Sequence, residues 1–280
     1  MKRVKLIALD MDGTLLRSDH WTIPQQNIEA IRRAQAAGVH VCINTGRMLE
    51  DASDFLKRYD LNCTIISGDG TRICTGLVGV GDVVFRQNLA VEDAKRAIEL
   101  SLASGLTIHA FEDGVVNTVI GENGAPYHLL ERGLIGVRYG EAALYEAAER
   151  GLLKIFVVSE GFAGSVYSDK VPPLREKLRE MLPYLEISSS GAGNIEIVSQ
   201  DAGKGRALAV LAQRLGLGPE NVMAVGDAGN DLNMLEYAYH SVAMANAKPE
   251  ILSACRYTTE SNEECGVARI IERVLAAKEE

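Results

Sequence analysis

Short, wholly apolar runs alternate with stretches in which apolar residues return every three or four positions. In the first third of the chain this rhythm predicts a strand at KLIALD (5–10) and a helix over 24–37, opening at Pro24 and stopping at Gly38. Ile28, Ile31 and Ala34 share one face of that helix. A second strand follows at VHVCIN (39–44), then a helix near 48–58 and a third strand at TIIS (64–67). Strand, helix, strand at this spacing implies a parallel sheet with right-handed crossovers. The strands are apolar on both faces, as a sheet covered on both sides requires.

The last third resumes the rhythm. A helix is predicted from about 204 to 215, then a strand at NVMAVGD, a helix at LNMLEYA, a strand at SVAMA and a closing amphipathic helix at GVARIIERVL. The middle is different. LTIHAFEDGVVNTVI (106–120) reads as two strands joined at Asp113-Gly114, a hairpin signal. A strand at LLKIFVVSE, a helix at PPLREKLREML and a second hairpin, LEISSSGAGNIEIV, turned at residues 191–193, come after it. The chain therefore reads as an α/β core in two segments, 1–86 and 199–280, interrupted by an α+β domain over 87–198.

Composition narrows the function. The 280 residues are 47% hydrophobic and 24% charged, and the formal net charge of -9 disfavours nucleic acid, whose binding rests on Lys and Arg neutralising phosphates. The apolar run after the basic N-terminus is too short for a signal peptide, and no stretch approaches the length that spans a membrane. The five cysteines (42, 63, 74, 255, 265) form no C-x-x-C pair, and the expectation is buried thiols in a reducing, cytoplasmic compartment. The five histidines (20, 40, 109, 128, 240) show no metal-ligand spacing.

In open parallel sheets, ligands bind beyond the carboxyl ends of the strands. Polar residues collect there. After the first strand come Asp10, Asp12 and Thr14; after the second, Asn44, Thr45, Gly46 and Arg47; after NVMAVG, Asp227, Asn230 and Asp231. Lys204 opens the helix after the middle domain. Gathered carboxylates repel by about 4 kcal/mol per pair at 4 Å and an effective dielectric of 20. A divalent cation removes that cost, and oxygen-only ligands favour a hard ion such as Mg²⁺. Cation, lysine, threonine hydroxyl and the amides of tight turns together suit a phosphate group. One aspartate near phosphorus can act as nucleophile. The other can give a proton to the leaving oxygen and later take one from water. On an extended strand Asp10 and Asp12 would point the same way, and a turn at Gly13 frees the second.

Competing motifs fail. A calcium loop starting at Asp10 would need Glu where Trp21 stands. Lys204 sits in no Walker loop, because Val198 and Gly205 occupy the required Gly and Ser/Thr positions. A dinucleotide fingerprint begun at Gly79 and Gly81 meets Val84 at its third glycine, and Ser67 sits in no G-x-S-x-G elbow. Taken singly, Asp10 and Asp12 are also ordinary turn residues and Thr45 an ordinary helix cap.

DMDGTL (10–15), NTGR (44–47), Lys204-Gly205 and GDAGND (226–231) resemble the four ordered motifs of the haloacid dehalogenase superfamily, most closely its Cof-type phosphatase branch. AMANAKPEI and TTESNEECGVARII resemble that branch's C-terminal region. The resemblance implies a Rossmann-like parallel-sheet core with an inserted α+β cap that closes over the site and selects the leaving group. It implies Asp10 as nucleophile and Mg²⁺ ligand, and Asp12 as general acid/base binding the metal through its carbonyl. Asp227 would be the third metal ligand, with Asp231 and Arg47 in support. Thr45, Gly46, Lys204, Asn230 and the backbone of Met11 would hold phosphate. The branch usually carries Asn-Gly-Ala after its third strand, where this chain has SGDGTRI with Asp69. The implied activity is hydrolysis of a small phosphorylated metabolite, a sugar phosphate by preference. Alternatives are a phosphosugar mutase using the same aspartyl phosphate and a non-catalytic phosphometabolite sensor. Oligomeric state is not legible in the sequence.

Overall fold

A computed structural model describes residues 1, 3–121, 124, 133–160 and 166–279, which leaves His128 outside the described residues. Contacts divide the chain into two compact units, Met1–Phe85 with Lys204–Glu280, and Arg86–Gly203.

The first unit is built on an eight-stranded sheet. Its strands are β1 (Leu6–Leu9), β2 (His40–Asn44), β3 (Thr64–Ser67), β4 (Arg72–Cys74), β5 (Val83–Arg86), β12 (Val222–Gly226), β13 (His240–Ala243) and β14 (Tyr257–Thr258). They lie in the order β14-β13-β12-β1-β2-β3-β4-β5. From β14 through β3 every pair is parallel, and β1 runs between β12 and β2. Alternate residues of β1 feed two cores. Ile7 and Leu9 pack with α1 (Gln25–Ala36), α2 (Leu49–Arg58) and α9 (Gly266–Glu279). Leu6 and Ala8 pack with α6 (Lys204–Arg214), α7 (Leu232–Tyr237) and α8 (Pro249–Ala254). A strand covered on both faces has no polar side to show, which is why LIAL carries no alternation.

The core sheet departs from the expected all-parallel arrangement at one edge, where β4 runs antiparallel to β3. Neither β4 nor β5 was expected, nor were β14 and α8. β4 and β14 are two or three residues long and β5 is partly exposed, so none leaves a periodic signature.

The second unit carries a six-stranded sheet in the order β10-β11-β9-β6-β7-β8. Its strands are β6 (Thr107–Glu112), β7 (Val115–Val119), β8 (Gly136–Tyr139), β9 (Lys154–Val158), β10 (Leu185–Ser188) and β11 (Asn194–Ser199). All its pairs are antiparallel except β7–β8. The β6–β7 hairpin turns at Asp113-Gly114, with Gly114 at φ 65°. Helices α3 (Val91–Leu102), α4 (Glu141–Arg150) and α5 (Val171–Met181) supply one core with Ile108, Ile155 and Ile195. The sequence pattern singled out only α5. The buried face of α4 is largely alanine, and α3 buries Ala94, Ala97 and Ser101 beside Ile98 and Leu100; such small side chains give little hydrophobic contrast. Cys42, Cys63 and Cys74 are buried, whereas Cys255 and Cys265 are partly exposed, which corrects the expectation of five buried thiols. Among the described residues no helix is long and apolar enough to cross a membrane.

Candidate active site

The site lies wholly in the first unit, where β1, β2 and β12 end and α6 begins. β1 stays in register to its last residue, because the Asp10 N–H donates to Val225 O at 3.1 Å. The chain then opens into one wide turn over Met11–Leu15, in which Leu15 N–H reaches Asp10 O at 3.3 Å and Leu16 N–H reaches Met11 O at 2.8 Å. Gly13 makes that turn possible. Its φ is 81°, and a Cβ at this position would stand 2.4 Å from Asp227 Oδ2. The backbone thereby brings Asp227 close, and Thr14 Oγ1 donates to Asp227 Oδ1 at 2.8 Å.

At the end of β12, Gly226 serves the same purpose for Asp231, whose Cβ would lie 2.7 Å from a side chain there. Asp231 closes its own turn: Oδ2 accepts the N–H groups of Asp227 and Ala228, both at 3.0 Å. Its Oδ1 accepts Lys204 Nζ at 2.7 Å. Lys204 also donates to Asp10 Oδ1 at 2.6 Å, and it is only 1% exposed. The first turn of α6 is held in place from two sides. Asn44 Nδ2 donates to Lys204 O at 3.0 Å, and Gly205 N–H donates to Asn233 Oδ1 at 3.0 Å.

The electrostatics follow from three carboxylates around one ammonium. Burial and the neighbouring Asp231 push Asp10 well above the usual carboxylate range, against the pull of Lys204. Burial and Asp231 likewise push Asp227 up to about 7. Burial alone would lower Lys204, but Asp10, Asp231 and Asp69 outweigh it and hold it well above the ordinary lysine value. Raised carboxylates mean negative charge that the protein does not fully offset. One oxygen each from Asp10, Asp227 and Asp231 lies within 4.8 Å of the others. This oxygen-only, over-negative cluster fits a hard divalent cation. Both oxygens of Asp231 are already engaged, which leaves the carboxylates of Asp10 and Asp227 to reach an ion.

Asp12 stands apart from this cluster. Arg47 grips it with two prongs, Nε to Oδ2 and Nη2 to Oδ1, both at 2.7 Å. His20 Nδ1 lies 2.9 Å from Oδ1. Burial would raise Asp12, yet the Arg47 contact prevails and holds it well below the usual range. Arg47 is itself braced by Asp51 at 3.2 Å and by the Phe55 ring 4.6 Å away. His20 is drawn upward by its hydrogen bond to Asp12. The sequence gives no warning of His20, which reaches Asp12 from a left-handed turn with φ 59°.

The other expected residues fall as follows. Thr45 Oγ1 accepts Arg47 N–H at 3.1 Å, a local cap. Gly46 lies between them, half-buried. Met11 is fully buried at the start of the wide turn. Asn230 Nδ2 donates to Asp69 Oδ1 at 3.2 Å. Asp10, Asp227, Asp231, Lys204 and Thr14 are thus joined directly, Asp12 is joined to Arg47, and Asn230 to Asp69.

The sequence profile of the haloacid dehalogenase-like hydrolases matches residues 7–271. The chain belongs to this family. One relative of this hydrolase is the 5-amino-6-(5-phospho-D-ribitylamino)uracil phosphatase YwtE of Bacillus subtilis, 32% identical over 98% of this chain and 99% of its own. Another is the HMP-PP phosphatase of Cronobacter sakazakii, 31% identical over 89% of this chain and 87% of its own. Among solved structures, a haloacid dehalogenase-like hydrolase from B. subtilis superposes with a TM-score of 0.84 at 27% identity, covering 97% of this chain and 100% of that one.

Proposed function

We propose that this phosphatase of the haloacid dehalogenase type is Mg²⁺-dependent and hydrolyses a small phosphorylated metabolite through an aspartyl phosphate on Asp10. The observation that carries this reading is Lys204 buried between Asp10 and Asp231, with Asp227 beside them and more negative charge than the lysine offsets. Asp10, Asp227 and the carbonyl of Asp12 would hold the magnesium ion. The ion would offset the carboxylates and the phosphate charge, which phosphoryl transfer mainly requires.

The remaining work belongs to side chains. Asp10 attacks phosphorus in line, and Lys204 fixes its carboxylate and opposes its protonation. Lys204, Thr45, Gly46, Asn230 and the Met11 backbone bind the phosphoryl oxygens. Asp12, held ionised by Arg47, is set to take a proton from the water that attacks the aspartyl phosphate. To serve the leaving alcohol as an acid it must first exchange Arg47 for a proton, so that grip and the first chemical step exclude one another. The phosphorylated metabolites named for the two relatives support a small phosphorylated substrate, and the class we favour is a sugar or sugar-alcohol phosphate. Residues 87–198 would be the cap that selects the leaving group.

Turnover of p-nitrophenyl phosphate with Mg²⁺ tests the assignment. Asp10→Asn is expected to abolish it while melting as a folded protein, and substantial activity in that variant refutes the nucleophile. Release of inorganic phosphate from a hexose phosphate without a bisphosphate activator separates hydrolysis from mutase chemistry.

A further inference from the structure

Three consecutive residues after β3 take the left-handed conformation: Gly68 (φ 56°), Asp69 (φ 54°) and Gly70 (φ 87°). Glycine does so freely, whereas a residue with a Cβ does so against steric resistance. Asp69 does it while only 2% exposed. A buried carboxylate on a resisting backbone needs contacts that over-determine it, and such positions gather at functional sites.

Those contacts reach residues proposed to hold phosphate. Asp69 N–H donates to Thr45 O at 3.1 Å, and Gly68 N–H donates to Arg47 O at 2.8 Å, so the turn is fastened to the loop after β2. On its other side Asp69 Oδ1 accepts Asn230 Nδ2 at 3.2 Å, from the loop after β12. Asp69 is also the third negative charge acting on Lys204. One residue thus links three parts of the first unit: its backbone N–H holds the Thr45 loop, its carboxylate holds Asn230, and its charge acts on Lys204.

The choice of carboxylate has a chemical consequence. An amide can present either its oxygen or its NH₂ group to a neighbour, but an ionised carboxylate only accepts. Asp69 therefore fixes the Asn230 amide with NH₂ toward it and leaves the second N–H of that group to serve another acceptor. An asparagine at position 69, usual in the branch that this chain resembles, could meet Asn230 with either end. We propose that Asp69 is a positioning residue that aims the Asn230 amide as a donor to the phosphoryl oxygens. The inference rests on the reading that Asn230 holds phosphate.

Asp69→Gly tests it, because glycine keeps the left-handed turn without the steric resistance and removes only the carboxylate. Asp69→Gly, Asn230→Ala and the double variant are compared by KM and kcat for p-nitrophenyl phosphate and by the competitive inhibition constant of inorganic phosphate, all in excess Mg²⁺. Asp69→Gly is expected to melt no lower than wild type. Its KM and phosphate inhibition constant should rise about tenfold, the worth of one hydrogen bond to a charged group, with a smaller change in kcat. In the Asn230→Ala background it should add nothing further. An unchanged phosphate constant in Asp69→Gly, with a loss in Asn230→Ala, overturns the positioning role alone. Equal losses in both backgrounds also overturn it, because Asp69 would then act independently of Asn230. An unchanged constant in Asn230→Ala removes the phosphate role of Asn230, and the present inference with it.

Discussion

Asp10 and Asp12 are two residues apart in sequence and sit in opposite electrostatic settings. Asp10 faces Lys204 across 2.6 Å but also Asp231 and Asp227, and burial drives it upward. Asp12 faces Arg47 and is driven down. The left-handed Gly13 separates them. The gathering of Asp10, Asp227 and Lys204 was legible in the sequence, because three parallel strand ends and one helix start must meet at one sheet edge. The grip of Arg47 and His20 on Asp12 was not, because it depends on rotations about single residues that no periodic pattern records. It yields a prediction. With p-nitrophenyl phosphate, whose leaving group needs no acid, Asp12→Asn should release a burst of p-nitrophenol equal to the enzyme and then turn over slowly. With an alkyl phosphate the same variant should show no burst, and a rate lower by roughly 10²–10⁴. Equal loss on both substrates without a burst, read by rapid mixing, would remove Asp12 from proton transfer.

The strands with continuous apolar runs and the helices with wide apolar stripes are readable in the sequence. Elements of two or three residues, such as β4 and β14, are not, and neither are α3 and α4, whose buried faces carry many small side chains. Tertiary contacts hold these together instead. In the second unit Glu112, at the end of β6, accepts Arg150 Nε of α4 at 2.8 Å, Arg138 Nη1 of β8 at 2.9 Å and Asn117 Nδ2 of β7 at 2.7 Å. Burial would raise Glu112, but the hydrogen bonds from Arg150 and Asn117 outweigh it and lower it below the ordinary glutamate value. A carboxyl lowered in the folded state contributes stability that is complete above its unfolded value of about 4.3 and fades as pH falls through the folded value. Glu112→Gln should therefore melt lower than wild type at pH 7, with the gap closing toward pH 3. A gap that stays constant across that range would assign the loss to packing alone.

At the scale of the whole molecule, a chain of net charge -9 keeps a further local excess of negative charge at one sheet edge. Such an excess is a stability cost until a cation offsets it. Without metal, Asp227→Asn should melt at or above the wild type, because it removes one of the repelling carboxylates. Added Mg²⁺ should raise the wild-type melting temperature and leave that of Asp227→Asn nearly unmoved. An equal rise in both, read by scanning calorimetry with and without EDTA, would place the ion elsewhere. The two units were legible as an α/β core and an α+β insert, because the switch from wide apolar runs to hairpin signals is written in the chain. The second crossing between them falls later than the pattern suggested, at Gly203 (φ 90°), just before α6 begins. The central claim is that phosphorus passes through a covalent bond to Asp10, and acid quenching during turnover with Mg²⁺, followed by peptide mass mapping, tests it most directly. The account predicts a phosphoryl group on the peptide carrying Asp10, absent from Asp10→Asn; a phosphoryl group on any other side chain, or none while the wild type turns over, would contradict it.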